Sequence, residues 1–426
     1  MQTLKSITLS LLIAAAVSHG ASGAPFRTDI NPALQYYRMF LMTPELSQAD
    51  RDYLFETEWL GQKLPDRFGE LVARYDKAFT FVRQAAQATV PCDWGIDMSP
   101  GPFTLLPHLG RIKAVAVVAR LRAMWYLQHG RQAEARDDLL AAMVLARNSA
   151  RDGTLISMLV QIAMENILCR TVAENFQKFS PETLKQLADG FEAAPARVTA
   201  AAAIPGEKTL CMDWMLGRIE EFQKENPGND AKVMAAIQDL LTKIGGGAPE
   251  EGQPRRGDQA SLGEQVTKAA GGTTQGVIKL LEDEAPLYQK FATIMALPYR
   301  EYEEQIKPFT AEIQNSPNPF VSAFFPAVGK CRTKEFAVLA ELAMVRTAID
   351  YKLHGEPGLK SVTDPCGQGP FGFRRFAFEG VDRGFELKSA YDGRGFPEVL
   401  IFVEKDGPPF QVNGNNAGQP VPKSNK

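Results

Sequence analysis

Histidine and cysteine, the side chains that most often carry nucleophilic and metal chemistry, are scarce in this chain: 4 and 5 among 426 residues. Only His108, His129 and His354 lie beyond the N-terminal segment, on three separate stretches. A three-histidine zinc site would have to recruit all of them, so no metal is expected. The sequence has no HExxH, no phosphate-binding GxxxxGK[ST], no GxSxG elbow, no CxxC and, past the N-terminal segment, no SxxK. Gly367, Gly369 and Gly372 do spell GxGxxG. Pro370 interrupts the string and no strand leads into it, so these read as loop glycines and no cofactor is expected. An excess of one charge is missing too: 47 basic residues face 50 acidic ones, a net charge of −3. The basic residues are dispersed, which argues against a nucleic-acid partner. Later apolar stretches are broken by charges such as Arg111, Lys113, Arg120 and Arg122, so no transmembrane helix is expected after the N-terminal segment.

What is present begins with an address. Lys5 precedes an uncharged apolar run from Ile7 to Val17, then the small residues Ser18, Gly20, Ala21, Ser22, Gly23 and Ala24. This is the order of a cleavable export signal, residues 1–23, with cleavage expected after Gly23. The product is expected in the periplasm or outside the cell. That compartment permits disulfides, but Cys92, Cys169, Cys211, Cys331 and Cys366 are odd in number. Cys331 and Cys366 flank one helix-and-loop unit and form the preferred pair; buried, reduced thiols are the alternative.

The pattern predicts a mainly α fold: a multi-helical domain of antiparallel hairpins, then a small α/β module with a long helix and a short antiparallel sheet. Residues 24–244 form the helical domain, with apolar spacing of three and four over 65–88, 107–129, 131–149 and 153–178. Pro65, Gly130, Asp152-Gly153 and Ser180-Pro181 fall where such helices begin or end. Residues 245–276, opening with Gly245, Gly246 and Gly247, read as a flexible linker. Residues 277–330 read as helices packing back on the main domain. Residues 331–405 form the α/β module, whose helix carries Val338, Leu342, Val345, Ile349 and Leu353 in one stripe. Strand-like runs follow at 371–378, 384–389 and 398–404. Residues 406–426, rich in Pro, Gly and Asn, read as a disordered tail.

Ala123–Arg147, with Tyr126 late in one helix, Gly130 at the turn and Ala135, Leu139, Ala142 and Leu145 in the next helix, resembles one tetratricopeptide-repeat hairpin. No second copy follows at that family's period. The C-terminal module resembles the globular part of type II secretion pseudopilins. The likeness rests on the long helix, Tyr351–Pro357, the Asp364-Pro365-Cys366-Gly367-Gln368-Gly369-Pro370-Phe371 loop, Gly384–Ser389 and Asp392-Gly393. The prepilin methylation motif is absent, and of that family's calcium loop only Asp392 remains as a clear ligand, too few oxygens for calcium. The whole layout is similar to exported bacterial proteins that join a helical domain to such an end module.

One loop is dense in reactive side chains. Between Val90 and His108 it holds Cys92, Asp93, Trp94 and Asp97. A Cys92–His108 pair with Asp97 orienting the imidazole has the ingredients of nucleophilic catalysis. The same residues read structurally as a plug, Trp94 and Cys92, with Asp97 or Ser99 capping the following helix. Glu165, inside the apolar run Leu155–Leu168, is a further candidate acid or base, or else an ion-pair partner of Arg120, Arg122 or Arg170. Glu207 and Cys211 share a helix face, with Asp213 and Trp214 beyond them, a mixed face suited to packing. The leading expectation is a non-catalytic exported protein that engages another envelope protein. A periplasmic hydrolase or transferase using Cys92, Asp97 and His108 is the second, and a small-ligand carrier with an apolar cavity between helices is the third.

Overall fold

The structure is a computed structural model, and it describes residues 27–56, 59–245, 261–325, 329–393, 397–413 and 417–420. The expected signal segment and residues 246–260 of the expected linker lie outside those residues. What is described is mainly helical, with one three-stranded antiparallel sheet of order β1-β2-β3 near the C-terminus: β1 Gly372–Phe378, β2 Val381–Asp392 and β3 Pro397–Val403.

Local signals set the helix ends. Helix His108–Gln128 stops at the Gly130 turn, whose φ of +69° suits glycine, and helix Gln132–Ser149 returns antiparallel to it. Ala135 and Ala142 are wholly buried in this hairpin, and their small side chains let the two helices approach closely. The buried Arg122 guanidinium crosses the seam, 2.7 Å from Asp138. Helix Leu155–Glu174 starts at Thr154, whose hydroxyl accepts from the Ser157 amide, and helix Pro181–Ala193 starts at Ser180 in the same way.

Two apolar cores share two helices. The first gathers helices Pro32–Met42, Asp76–Ala86, His108–Gln128 and Gln132–Ser149 with the sheet. The second gathers helices Ala200–Lys208, Asp230–Gly245, Thr274–Met295 and Tyr299–Gln314. Helix Leu155–Glu174 gives Leu155, Met158 and Ile162 to the second core and Met164, Leu168 and Val172 to the first. Helix Gly329–His354 divides likewise, Phe336 and Val338 on one side and Met344, Val345 and Ile349 on the other. Helix Leu155–Glu174 is long and apolar enough to cross a membrane, yet here it is the central strut between both cores.

Three expectations are corrected. The linker reading fails from residue 261 on: Ser261 and Glu264 form a capping box that starts helix Leu262–Ala269, and Val266 is buried. The tail reading fails up to residue 420, because Phe410 and Val412 are buried and the Ile401 amide donates to the Val412 carbonyl at 2.7 Å. The pattern left open whether the module from 331 stands apart, and it does not. Its helix and β3 pack on helix Leu155–Glu174, and Phe176 meets Phe385 and Phe402 edge-on. Cys331 and Cys366 form no disulfide. Cys331 sits in an apolar wall with Phe291 and Phe325, whereas Cys366 sits in a loop folded over Asp364, and both are buried thiols.

Candidate functional site

The reactive loop folds as a plug. Trp94 is buried, donates through Nε1 to the Asn148 carbonyl at 2.8 Å, and stacks against Tyr36 at 5.4 Å and His108 at 4.7 Å. Asp97 is exposed and accepts from the Ser99 amide of its own loop at 2.9 Å. It does not orient His108. Asp152 faces that ring instead, 3.9 Å from Nε2, and neither ring nitrogen has a hydrogen-bond partner among the described residues. Burial pushes the imidazole pKa down and pushes the Cys92 thiol up to about 12. A catalytic thiol needs the opposite shift. The triad reading is therefore corrected: its three members are not assembled.

Glu165 is wholly buried and lies in a chain of ion pairs at the seam between the two cores. Arg147 Nε approaches Oε1 at 2.8 Å and Arg197 Nη2 approaches Oε2 at 2.9 Å. Arg197 continues to the buried Glu335 at 2.8 Å, and Arg332 reaches Glu335 at 2.7 Å. The partners expected from sequence go elsewhere: Arg120 and Arg170 to Glu174, Arg122 to Asp138. Each seam carboxylate thus has at least two guanidinium neighbours, an arrangement that neutralises buried charge rather than offering it to a substrate.

A different part of the molecule has room. Between the loop 98–109, the start of helix Leu155–Glu174, helix Thr274–Met295 and Phe324–Phe325 lies a cleft of about 740 Å³. This is within the usual range for small-molecule sites. Leu105, Leu109, Ile156, Leu159, Ile204 and Phe291 are among its apolar lining residues. Its mouth is apolar as well, with Leu105 82% and Ile156 56% exposed.

Local backbone features build the walls. Gly101, at φ +60°, lies against the Trp214 indole, where an added Cβ would fall 2.4 Å from a ring carbon. Trp214 also donates to the Ser99 carbonyl at 2.9 Å, so one indole fixes the loop that forms the outer wall. On the opposite side, Pro205 interrupts helix Ala200–Lys208 and a π-turn follows at Thr209–Asp213. That extra residue per turn sets Leu210 and Cys211 into the cleft beside Glu207.

The floor carries few polar groups. Glu207 Oε1 accepts from the Leu155 amide at 2.8 Å, capping helix Leu155–Glu174, and burial raises its pKa. Tyr288 lines the cleft, with the fully buried Glu284 one turn before it. Neither Glu284 oxygen has a hydrogen-bond partner of good geometry among the described residues; the Tyr288 hydroxyl stabilises the carboxylate at longer range. Burial wins and lifts Glu284 to about 7. Thr104 Oγ1 is buried and unpartnered. Burial also raises Cys211 to about 12 and Cys331 to about 11. Among the described residues, no His, Lys or Arg lines the cleft.

Sequence reasoning noticed Glu207 and Cys211 but took their face for packing, and it missed Glu284 and Tyr288. The signal was a Glu and a Tyr four apart on an otherwise apolar helix face. Among the described residues, no cluster of three or more metal-ligating side chains occurs. Comparisons with family models, with curated proteins and with solved structures return no match.

Proposed function

We propose that this chain is an exported, non-catalytic binding protein whose cleft takes up a small apolar ligand. The observation that carries the reading is the open apolar cleft of about 740 Å³, walled by a loop that Trp214 pins in place. An exposed apolar mouth costs solubility unless something uses it, and such patches mark binding sites. Export follows from the N-terminal pattern, Lys5 and the Ile7–Val17 run. The test is titration with an uncharged fluorescent dye that brightens in apolar surroundings, such as N-phenyl-1-naphthylamine. Saturable binding lost in Leu159→Trp, which fills the cleft, supports the reading; binding unchanged by that substitution removes it.

A second reading keeps the contact with another envelope protein, and one observation favours it. Helix Pro32–Met42 leaves Leu34, Tyr37, Leu41 and Met42 between 40% and 80% exposed, beside a further groove of about 590 Å³. Likeness of the end module to pseudopilins suits docking to a surface or secretion assembly. Capture from envelope extract with the wild type and with Leu41→Glu tests it. A reproducible partner lost in the variant supports the reading; a partner retained by both places the contact elsewhere.

A further inference from the structure

The polar groups of the cleft are all acidic or neutral. Glu207 offers a carboxyl, Tyr288 a phenol and Thr104 an unpartnered hydroxyl, and Glu284 stands next to Tyr288 with both oxygens unsatisfied. Among the described residues, nothing cationic lines the walls. An anionic head group entering this floor would lose its hydration, face the Glu207 carboxyl and find no counter-charge. Burying a charge without a partner is among the costliest events in recognition. A head group that donates hydrogen bonds meets the reverse situation. Glu207 Oε1 is occupied by the Leu155 amide, which leaves its other oxygen, and Thr104 Oγ1 is an idle acceptor. The apolar walls suit an alkyl chain, so chain and head group together define an amphiphile of one polarity.

Resting on the apolar-ligand reading above, we infer that the cleft selects long-chain molecules ending in a hydroxyl or an amine and rejects those ending in a carboxylate. Glu207 and Thr104 receive the donor, and Leu105, Ile156 and Leu159 hold the chain. The missing cation is as much a part of this selectivity as the groups present.

The experiment is displacement of bound N-phenyl-1-naphthylamine from the purified exported protein by dodecanol, dodecylamine and dodecanoate at pH 8.5. Dodecanol and dodecylamine are expected to displace the dye at least about tenfold more tightly than dodecanoate, a difference of about 1.4 kcal/mol. Glu207→Gln is expected to weaken dodecylamine several-fold and leave dodecanol nearly unchanged. Ile156→Arg, which sets a cation at the exposed mouth, is expected to bring dodecanoate to parity. Equal displacement by all three ligands in the wild type, or tighter displacement by dodecanoate, overturns the inference while the cleft reading stands. Absence of saturable dye binding overturns both.

Discussion

Glu165 and Glu284 are both wholly inaccessible to solvent, and the chain treats them in opposite ways. At the seam Glu165 meets two guanidiniums, within a chain that runs on through Arg197 and Glu335 to Arg332. Beside the cleft Glu284 has no cation among its influences, only a phenol, and is lifted to about 7. The seam solves burial by pairing charge, which ties helices from both cores together. Beside the cleft the carboxyl has no counter-charge, and burial lets it hold its proton up to about pH 7. Burial alone therefore does not mark function: the acid that looked promising from sequence is structural, and the less conspicuous one lies behind the cleft, one turn from its lining residue Tyr288.

Breaking the seam has the largest expected effect. Glu165→Ala strands Arg147, leaves Arg197 with Glu335 alone, and should cost about 3–5 kcal/mol by chemical denaturation, the usual penalty for an orphaned buried charge. A cost under about 1 kcal/mol would mean that the seam is not paired as described. The second effect is on pH dependence. Glu341 is buried, receives Asn166 Nδ2 on both oxygens at 2.7 Å and Asn413 Nδ2 at 2.8 Å, and shares its surroundings with Glu398 and Arg170. As burial does for Glu284, desolvation holds both Glu341 and Glu398 above the ordinary carboxyl range, helped at Glu341 by the Glu398 charge and opposed at Glu398 by a hydrogen bond with Glu341. Raised acids stabilise the fold most below their unfolded value of 4.5, and that contribution is lost as pH rises through about 7 and beyond. Thermal stability should therefore fall between pH 5 and pH 8.5, and Glu341→Gln should flatten that fall; an unchanged slope would assign the pH dependence to other groups.

Smaller effects sharpen the comparison from the other side. Below about pH 7, Glu284→Gln removes a group that is already neutral and should change stability by less than about 1 kcal/mol, in contrast with Glu165→Ala. Asp97→Ala touches only an exposed loop turn and should stay within about 0.5 kcal/mol. A large loss there would mean that Asp97 supports more than its own loop.

The architecture was legible where periodicity is strong. The mainly α class, the antiparallel hairpin around Gly130 and the three strands after residue 371 are present in the structure. What local pattern hid was tertiary. Phe410 and Val412 sit in a Gly- and Pro-rich stretch, and only the sheet that covers them gives them order. Helix Leu262–Ala269 is short, and its glycine-rich neighbours masked the Ser261–Glu264 capping box. Partners 32 and 138 residues apart in sequence, Glu165 with Arg197 and Arg197 with Glu335, cannot be paired from spacing alone. The cleft was least legible, because a cavity and a filled core share one apolar pattern. Its existence depends on the Gly101–Trp214 contact and the π-turn at Thr209–Asp213, neither of which has a sequence period.

Dye titration of the wild type beside Leu159→Trp and Leu41→Glu tests the central claim most directly, since the two variants alter the two exposed apolar regions separately. Retained binding in Leu41→Glu with at least about tenfold loss in Leu159→Trp, roughly 1.4 kcal/mol, is the expected result. Loss in Leu41→Glu with full binding in Leu159→Trp would place the ligand on helix Pro32–Met42 and contradict the account.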